Sequence, residues 1–135
     1  PRVRGWLDQL EEVNLWGLFR HPVASRWFAA QQVMLGDAAH PTLPFLAQGA
    51  NLALEDAATL ARVLNDDKPL QHYQDIRQLR VRRVVDAANA NARNYHLSGA
   101  KRAIGHTLLR MAGAVAPKAA LSRFDWLYRY DATKT

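Results

Sequence analysis

The sequence predicts a mostly α-helical chain with two or so short β-strands and a strand–loop–helix unit near its middle. Two patterns carry that expectation. From about Gly49 to Asn65, and again from Pro69 to about Leu97, apolar residues recur at helical spacing. Before them lie only two short runs of strand formers, residues 13–19 and 32–35. Two strands do not make a stable sheet. The sheet is therefore expected to be small and irregular, or to draw its other strands from a segment outside these 135 residues.

Each element follows from its residues. Val3, Trp6, Leu7 and Leu10 are spaced for a short amphipathic helix over residues 3–12. Residues 13–19 (VNLWGLF) read as a strand that ends at His21-Pro22, because proline restricts its predecessor and cannot donate to a ladder. Trp27-Phe28 is expected to pack under a connecting loop. Gln32-Val33-Met34-Leu35, stopped by Gly36, reads as a buried strand. In the helix from Gly49 to Asn65, alanine and leucine cover most of the circumference, which implies burial on several sides. Asn51, Glu55, Thr59 and Arg62 form its polar stripe. Asn65-Asp66-Asp67-Lys68 is a turn, and Pro69 suits the first position of the next helix. Ser98-Gly99 should break that helix. Residues 101–111 resume a helical pattern, 113–117 are a weak linker, and 118–130 form a last short helix or two turns.

Composition sets wide bounds. At 49% hydrophobic residues the chain can bury a sizeable core. Eighteen Lys and Arg against 12 Asp and Glu give a net charge of +6, which by itself is weak evidence for nucleic-acid binding. There is no cysteine, so disulfides and thiolate chemistry are excluded and a reducing, cytoplasmic setting is expected. No apolar run approaches the roughly 20 residues that span a bilayer. The five histidines have no convincing ligand spacing, so no metal is expected.

The chemistry lies in residues 35–57 (LGDAAHPTLPFLAQGANLALEDA). Asp37 is expected at the carboxyl end of a strand, where ligands of open α/β sheets bind and a carboxylate can accept from sugar or ribityl hydroxyls. Taken alone, it is equally readable as the cap of a turn. The helix starting at Gly49 has no Ser, Thr or Asp just before it to cap its free N–H groups. Bare backbone at Gly49, Ala50 and Asn51 is then an anion site favoured by the helix dipole, although uncapped starts are common. Pro41 and Pro44 force His40 and Leu43 to be extended and stiffen the loop. His40 reads as a structural histidine that hydrogen-bonds within the loop.

This stretch closely resembles the second FAD-binding motif of single-component aromatic hydroxylases, the salicylate hydroxylase-like flavoprotein monooxygenases. Residues 91–97 and 124–132 (FDWLYRYDA) resemble the long C-terminal helix and the chain end of that family. The resemblance implies the C-terminal fragment of an α/β, Rossmann-like FAD-binding fold of the p-hydroxybenzoate hydroxylase type. Residues 1–30 would then end the substrate domain, 31–66 form the second FAD motif and 67–135 the C-terminal helical region. It implies that Asp37 binds the ribityl chain and Gly36 lets the cofactor approach. Pro44 would sit beside the flavin near its oxygen-reacting carbon, as the one loop residue assigned a catalytic position. The backbone of Gly49, Ala50 and Asn51 would face the pyrimidine edge. It further implies NADH or NADPH as co-substrate, a small phenolic or benzoate-like substrate, no nucleic-acid or membrane partner, and a possible homodimer.

The sequence also departs from that family. No Gly-x-Gly-x-x-Gly turn for the ADP half of FAD is present, and no Asp-Gly pair. An N-terminal FAD- and substrate-binding segment of the same protein is therefore expected to be missing, and the isolated chain to be inactive. Two other readings stand beside this one. A non-catalytic helical module would use its apolar faces for a partner. A nucleic-acid-binding domain would use Arg77, Arg80, Arg82 and Arg83, which read more simply as a solvated or salt-bridged helix face with Asp75 and Asp86 in reach.

Overall fold

A computed structural model of the chain describes residues 2–116, 119 and 122–134. The chain begins with helix α1 (Arg2–Leu7), shorter than expected. Val3, Trp6 and Leu7 are exposed, and a helix with no packed face does not propagate. Residues 13–19 are not a strand. They have no regular structure, and Leu15, Trp16 and Phe19 face solvent. A strand needs a neighbour for its N–H and C=O groups, and among the described residues none runs beside them.

Among the described residues the sheet is one two-stranded antiparallel hairpin of β1 (Phe28–Ala29) and β2 (Gln32–Val33), with Phe28 opposite Val33 and Ala29 opposite Gln32. The bond from Met34 N to Trp27 O, 2.7 Å, extends it. The buried strand expected over residues 32–35 is thus two paired residues. Val33 and Met34 are half-buried, while Leu35 stays extended (φ −146°, ψ 163°) and exposed. Two 3-10 turns follow, Gly36–Ala38 and Pro44–Leu46.

Helix α2 (Gly49–Asn65) has both ends where the residue pattern places them. Pro69 is the extended residue before α3 (Leu70–Tyr95), one position earlier than expected. Ser98-Gly99 separates α3 from α4 (Gly99–Val115), as the sequence suggests. That helix outruns residues 101–111 because Gly113 weakens a helix without stopping it. None of its side chains is buried. Within the expected element over 118–130, α5 (Asp125–Tyr128) is a single turn; residues 117, 118, 120 and 121 lie outside the described residues.

The core forms where α2 crosses α3. Leu52, Leu60 and Val63 meet Tyr73, Val81, Val84 and Val85, closed by Trp27 and Leu127. Trp27 does more than sit under a loop. Its ring lies 5.1 Å from His40 and edge-on to Tyr73 at 5.7 Å, and its backbone N donates to Gln74 Oε1 at 2.8 Å. Gln78 Nε2 donates to Ala24 O, so α3 ties down the approach to the hairpin. Helix α2 is buried on one side only. Leu54, Ala57, Ala58, Ala61 and Leu64 are exposed, while on the polar stripe Glu55 meets Arg77 of α3, Arg62 donates to Ala132 O, and the buried Thr59 donates back to Glu55 O. The helix was expected to be buried on several sides. Its apolar circumference exceeds what the described residues cover.

Because Trp27 has no exposed surface and joins hairpin, loop and α3, Trp27→Ala should cost about 3–5 kcal/mol in urea denaturation. A loss under about 1 kcal/mol would mean the hairpin does not belong to this core.

Candidate functional site

The first 3-10 turn places Asp37. Gly36 has φ +58°, a left-handed conformation that L side chains resist, and a Cβ there would lie 3.2 Å from Ala53 Cβ of α2. The close approach that glycine permits in this structure is therefore between turn and helix. Gly36 O accepts from Ala39 N and His40 N, both at 2.9 Å, and closes the turn. Asp37 is exposed. It lies beyond the strand end, inside a 3-10 turn rather than on a strand, because β2 stops at Val33.

The start of α2 faces the same space. Its first internal bond runs from Leu52 N to Gln48 O at 2.9 Å, and no side chain caps the N–H groups before it. Gln48 is buried and turned back, donating through Nε2 to Leu46 O. A Cβ on Gly49 would sit 3.3 Å from Thr42 Oγ1 and 4.0 Å from Asp37 Oδ1. Asp37 and Gly49, separate in sequence, thus line one cradle whose wall is bare backbone. Ala50 and Asn51 continue it and are exposed. An open groove of about 280 Å³ runs beside it, lined by Gln48, by Asn51, Leu54 and Glu55 of α2, and by Leu127, Tyr128 and Tyr130.

Pro44 is exposed at the start of the second 3-10 turn. Leu43 before it is extended (φ −69°, ψ 145°), as the proline requires. This turn is held from α3. Asn91 Nδ2 donates to Phe45 O at 2.9 Å, and the Phe45 ring lies 5.6 Å from that of Tyr95.

Beneath the cradle is a buried ionic cluster that sequence reasoning did not assemble. The Asp56 carboxylate is fully buried and accepts from Gly36 N (2.9 Å), His40 Nε2 and Arg77 Nε (2.7 Å). Arg77, also fully buried, meets Glu55 at 2.8 Å. Arg80 pairs with Glu55 at 3.1 Å and donates to Trp126 O and Leu127 O, with its guanidinium 4.3 Å from the Tyr130 ring centre. Two expectations are corrected. The partner of His40 is Asp56 on α2, not a loop group. Arg77 and Arg80 are salt-bridged, but they point inward to Glu55 and Asp56 instead of lying on a solvated face near Asp75 and Asp86. Turned inward, they are unavailable to a nucleic-acid phosphate. The signal in the sequence was Glu55-Asp56 on α2 set against Arg77 and Arg80, three apart on α3.

Burial alone would raise the Asp56 carboxyl. The hydrogen bonds from His40, Arg77 and Gly36 outweigh it and hold the group below the ordinary carboxylate range. Burial likewise raises the Tyr73 phenol, and the nearby Asp56 charge adds to that. Tyr73 therefore serves as a donor, to Met34 O at 3.2 Å.

A cradle of one exposed carboxylate beside an uncapped helix start offers a hydrogen-bond acceptor next to free backbone donors that favour negative charge. Residues 3–88 match the family described as "FAD binding domain", and the chain belongs to it. It is 40% identical over 101 residues, 70% of the chain, to a 3-amino-4-hydroxybenzoate 2-monooxygenase of Streptomyces cremeus, covering 25% of that protein. It is 32% identical over 136 aligned positions, 97% of the chain, to a 3-hydroxybenzoate 6-hydroxylase of Polaromonas naphthalenivorans (strain CJ2), covering 33% of it. An FAD-dependent monooxygenase of Beauveria bassiana (strain ARSEF 2860) is 36% identical over 112 residues, 71% of the chain and 26% of that relative. The chain thus spans between a quarter and a third of the length of these relatives. Among the described residues, no helix is long and apolar enough to cross a membrane.

Two outcomes follow from the cluster. Arg77→Ala leaves Asp56 buried beside His40 with its main counter-charge gone, and should cost about 3–5 kcal/mol in chemical denaturation. Since the folded Asp56 carboxyl titrates below its unfolded value near 3.8, its stabilisation is complete above about pH 5 and is lost as pH falls through the folded value. Melting temperature followed from pH 7 to pH 3 should fall at the acid end, and Asp56→Asn should flatten that fall. An acid limb unchanged in the variant would show that other carboxylates dominate it.

Proposed function

We propose that these residues form the C-terminal portion of a flavin-dependent monooxygenase that hydroxylates a phenolic or benzoate-like ring using FAD, NADH or NADPH, and O2. The observation that carries this reading is the joint cradle of Asp37 and the uncapped α2 start. The names of the relatives, all monooxygenases or hydroxylases and two of them acting on hydroxylated benzoates, support it.

The residues fit the flavin half of FAD. Asp37 accepts hydrogen bonds from ribityl hydroxyls. The N–H groups of Gly49, Ala50 and Asn51 donate to the pyrimidine edge, and the helix dipole favours negative charge there. Gly49, lacking a Cβ, leaves room for that edge beside Thr42. Gly36 keeps the Asp37 turn pressed against α2. Pro44 and its turn, held by Asn91, form a stiff wall that excludes water from the ring face. When bound, FAD supplies the redox and oxygen chemistry, and the protein supplies position and electrostatics. The exposed apolar sides of α2 and α4 are covered by the remaining FAD- and substrate-binding segment of the same polypeptide.

In the natural polypeptide that carries these residues, Asp37→Ala should weaken FAD binding about ten- to a hundredfold, the value of a charge-assisted hydrogen bond, read by flavin fluorescence titration. Unchanged affinity would overturn the assignment of Asp37. The 135 residues alone should show no FAD-dependent NADH oxidation with a panel of hydroxybenzoates, whereas the natural polypeptide should. Full turnover by the short chain would refute its reading as a portion.

A further inference from the structure

We infer that Asp56 is a positioning residue of the flavin site, acting through the turn that carries Asp37. This rests on the reading of Asp37 as the ribityl ligand. Asp56 touches nothing in the cradle. Its carboxylate nevertheless takes Gly36 N, one residue before Asp37, and His40 Nε2, three residues after it. The turn is gripped on both sides of the exposed carboxylate. The grip is rigid because Asp56 is itself anchored on its other oxygen by Arg77 Nε, and Arg77 by Glu55 and Leu52 O.

The grip is also directional. Gly36 is left-handed, so nothing in its own preference fixes the turn to one conformation. The bond from its N–H to Asp56 supplies the constraint. An ionised Asp56 requires His40 to present its proton on Nε2, which fixes the ring. The ring is clamped further by Trp27, and its Nδ1 is buried with no hydrogen-bond partner among the described residues. Ala24 N also holds the turn, donating to Ala39 O at 2.8 Å, but among the bonds above only those to Asp56 grip the chain on both sides of Asp37. Without that carboxylate, Asp37 stays in the protein but loses its fixed place beside the α2 start.

The test is a double-mutant cycle in the natural polypeptide, with FAD dissociation constants as the readout. Asp56→Asn keeps size and one acceptor but loses the charge, and the variants are Asp56→Asn, Asp37→Ala, and both together. Val84→Ala, in the core face of α3 and away from the cradle, controls for lost stability. Asp56→Asn should weaken FAD binding about tenfold, and the double variant should bind no more weakly than Asp37→Ala alone, because one acts through the other. Val84→Ala should stay within about twofold of the parent. Additive losses in the double variant, or a loss in Asp56→Asn no larger than in Val84→Ala, would overturn the inference while leaving Asp37 as a ligand. No loss in Asp37→Ala would overturn both. If Asp56→Asn does not fold, His40→Leu, which has no donor, removes one of the two grips and should show the same non-additivity with a smaller loss. Additivity there would likewise overturn the inference.

Discussion

The structure depends on one buried carboxylate. Asp56 sits on α2 with no exposed surface and receives donors from the 36–40 turn and from α3. Burying an ion is costly, and its attraction to a partner repays that cost only with good geometry and further hydrogen bonds. Here each Asp56 oxygen is engaged, and Arg77 is shared with Glu55. The apolar contacts of α2 and α3 supply burial, but they are non-directional. The ionic cluster sets which residues of the two helices face each other and where the turn rests.

That constraint reaches the site. The turn on Asp56 brings Asp37 to within 4.0 Å of the space a Gly49 side chain would fill. A second attachment, from Asn91 of α3 to Phe45 O, holds the Pro44 turn. The long helix α3 therefore supports both loops around the cradle, although it contributes no residue to the cradle itself. The chain end closes the far side, with Trp126 and Leu127 carbonyls bound to Arg80 and Tyr130 stacked on it.

Much of this was legible in the sequence, and the failures have physical reasons. Helix α2 and the break at Ser98-Gly99 are set by local periodicity and by glycine, so they could be read directly. Asp37 and Gly49 to Asn51 stood out through the resemblance of residues 35–57 to the FAD motif; taken alone, an uncapped helix start is common and Asp37 reads equally as the cap of a turn. Residues 13–19 failed because strand propensity is expressed only beside a partner strand, and none lies there among the described residues. The arginines of α3 misled for the opposite reason. Their spacing looked like a solvated face, and only the packing of α2 on α3 reveals that Glu55 and Asp56 meet them. Tertiary ion pairs leave no periodic trace in one helix alone.

The most direct measurement is a crystal structure of the natural polypeptide with FAD bound. The account predicts a ribityl hydroxyl within hydrogen-bond distance of Asp37 and the pyrimidine edge facing the N–H groups of Gly49 to Asn51. It also predicts Asp56 still bonded to Gly36, His40 and Arg77. A flavin bound elsewhere, with Asp37 open to solvent and the α2 start unoccupied, would contradict it.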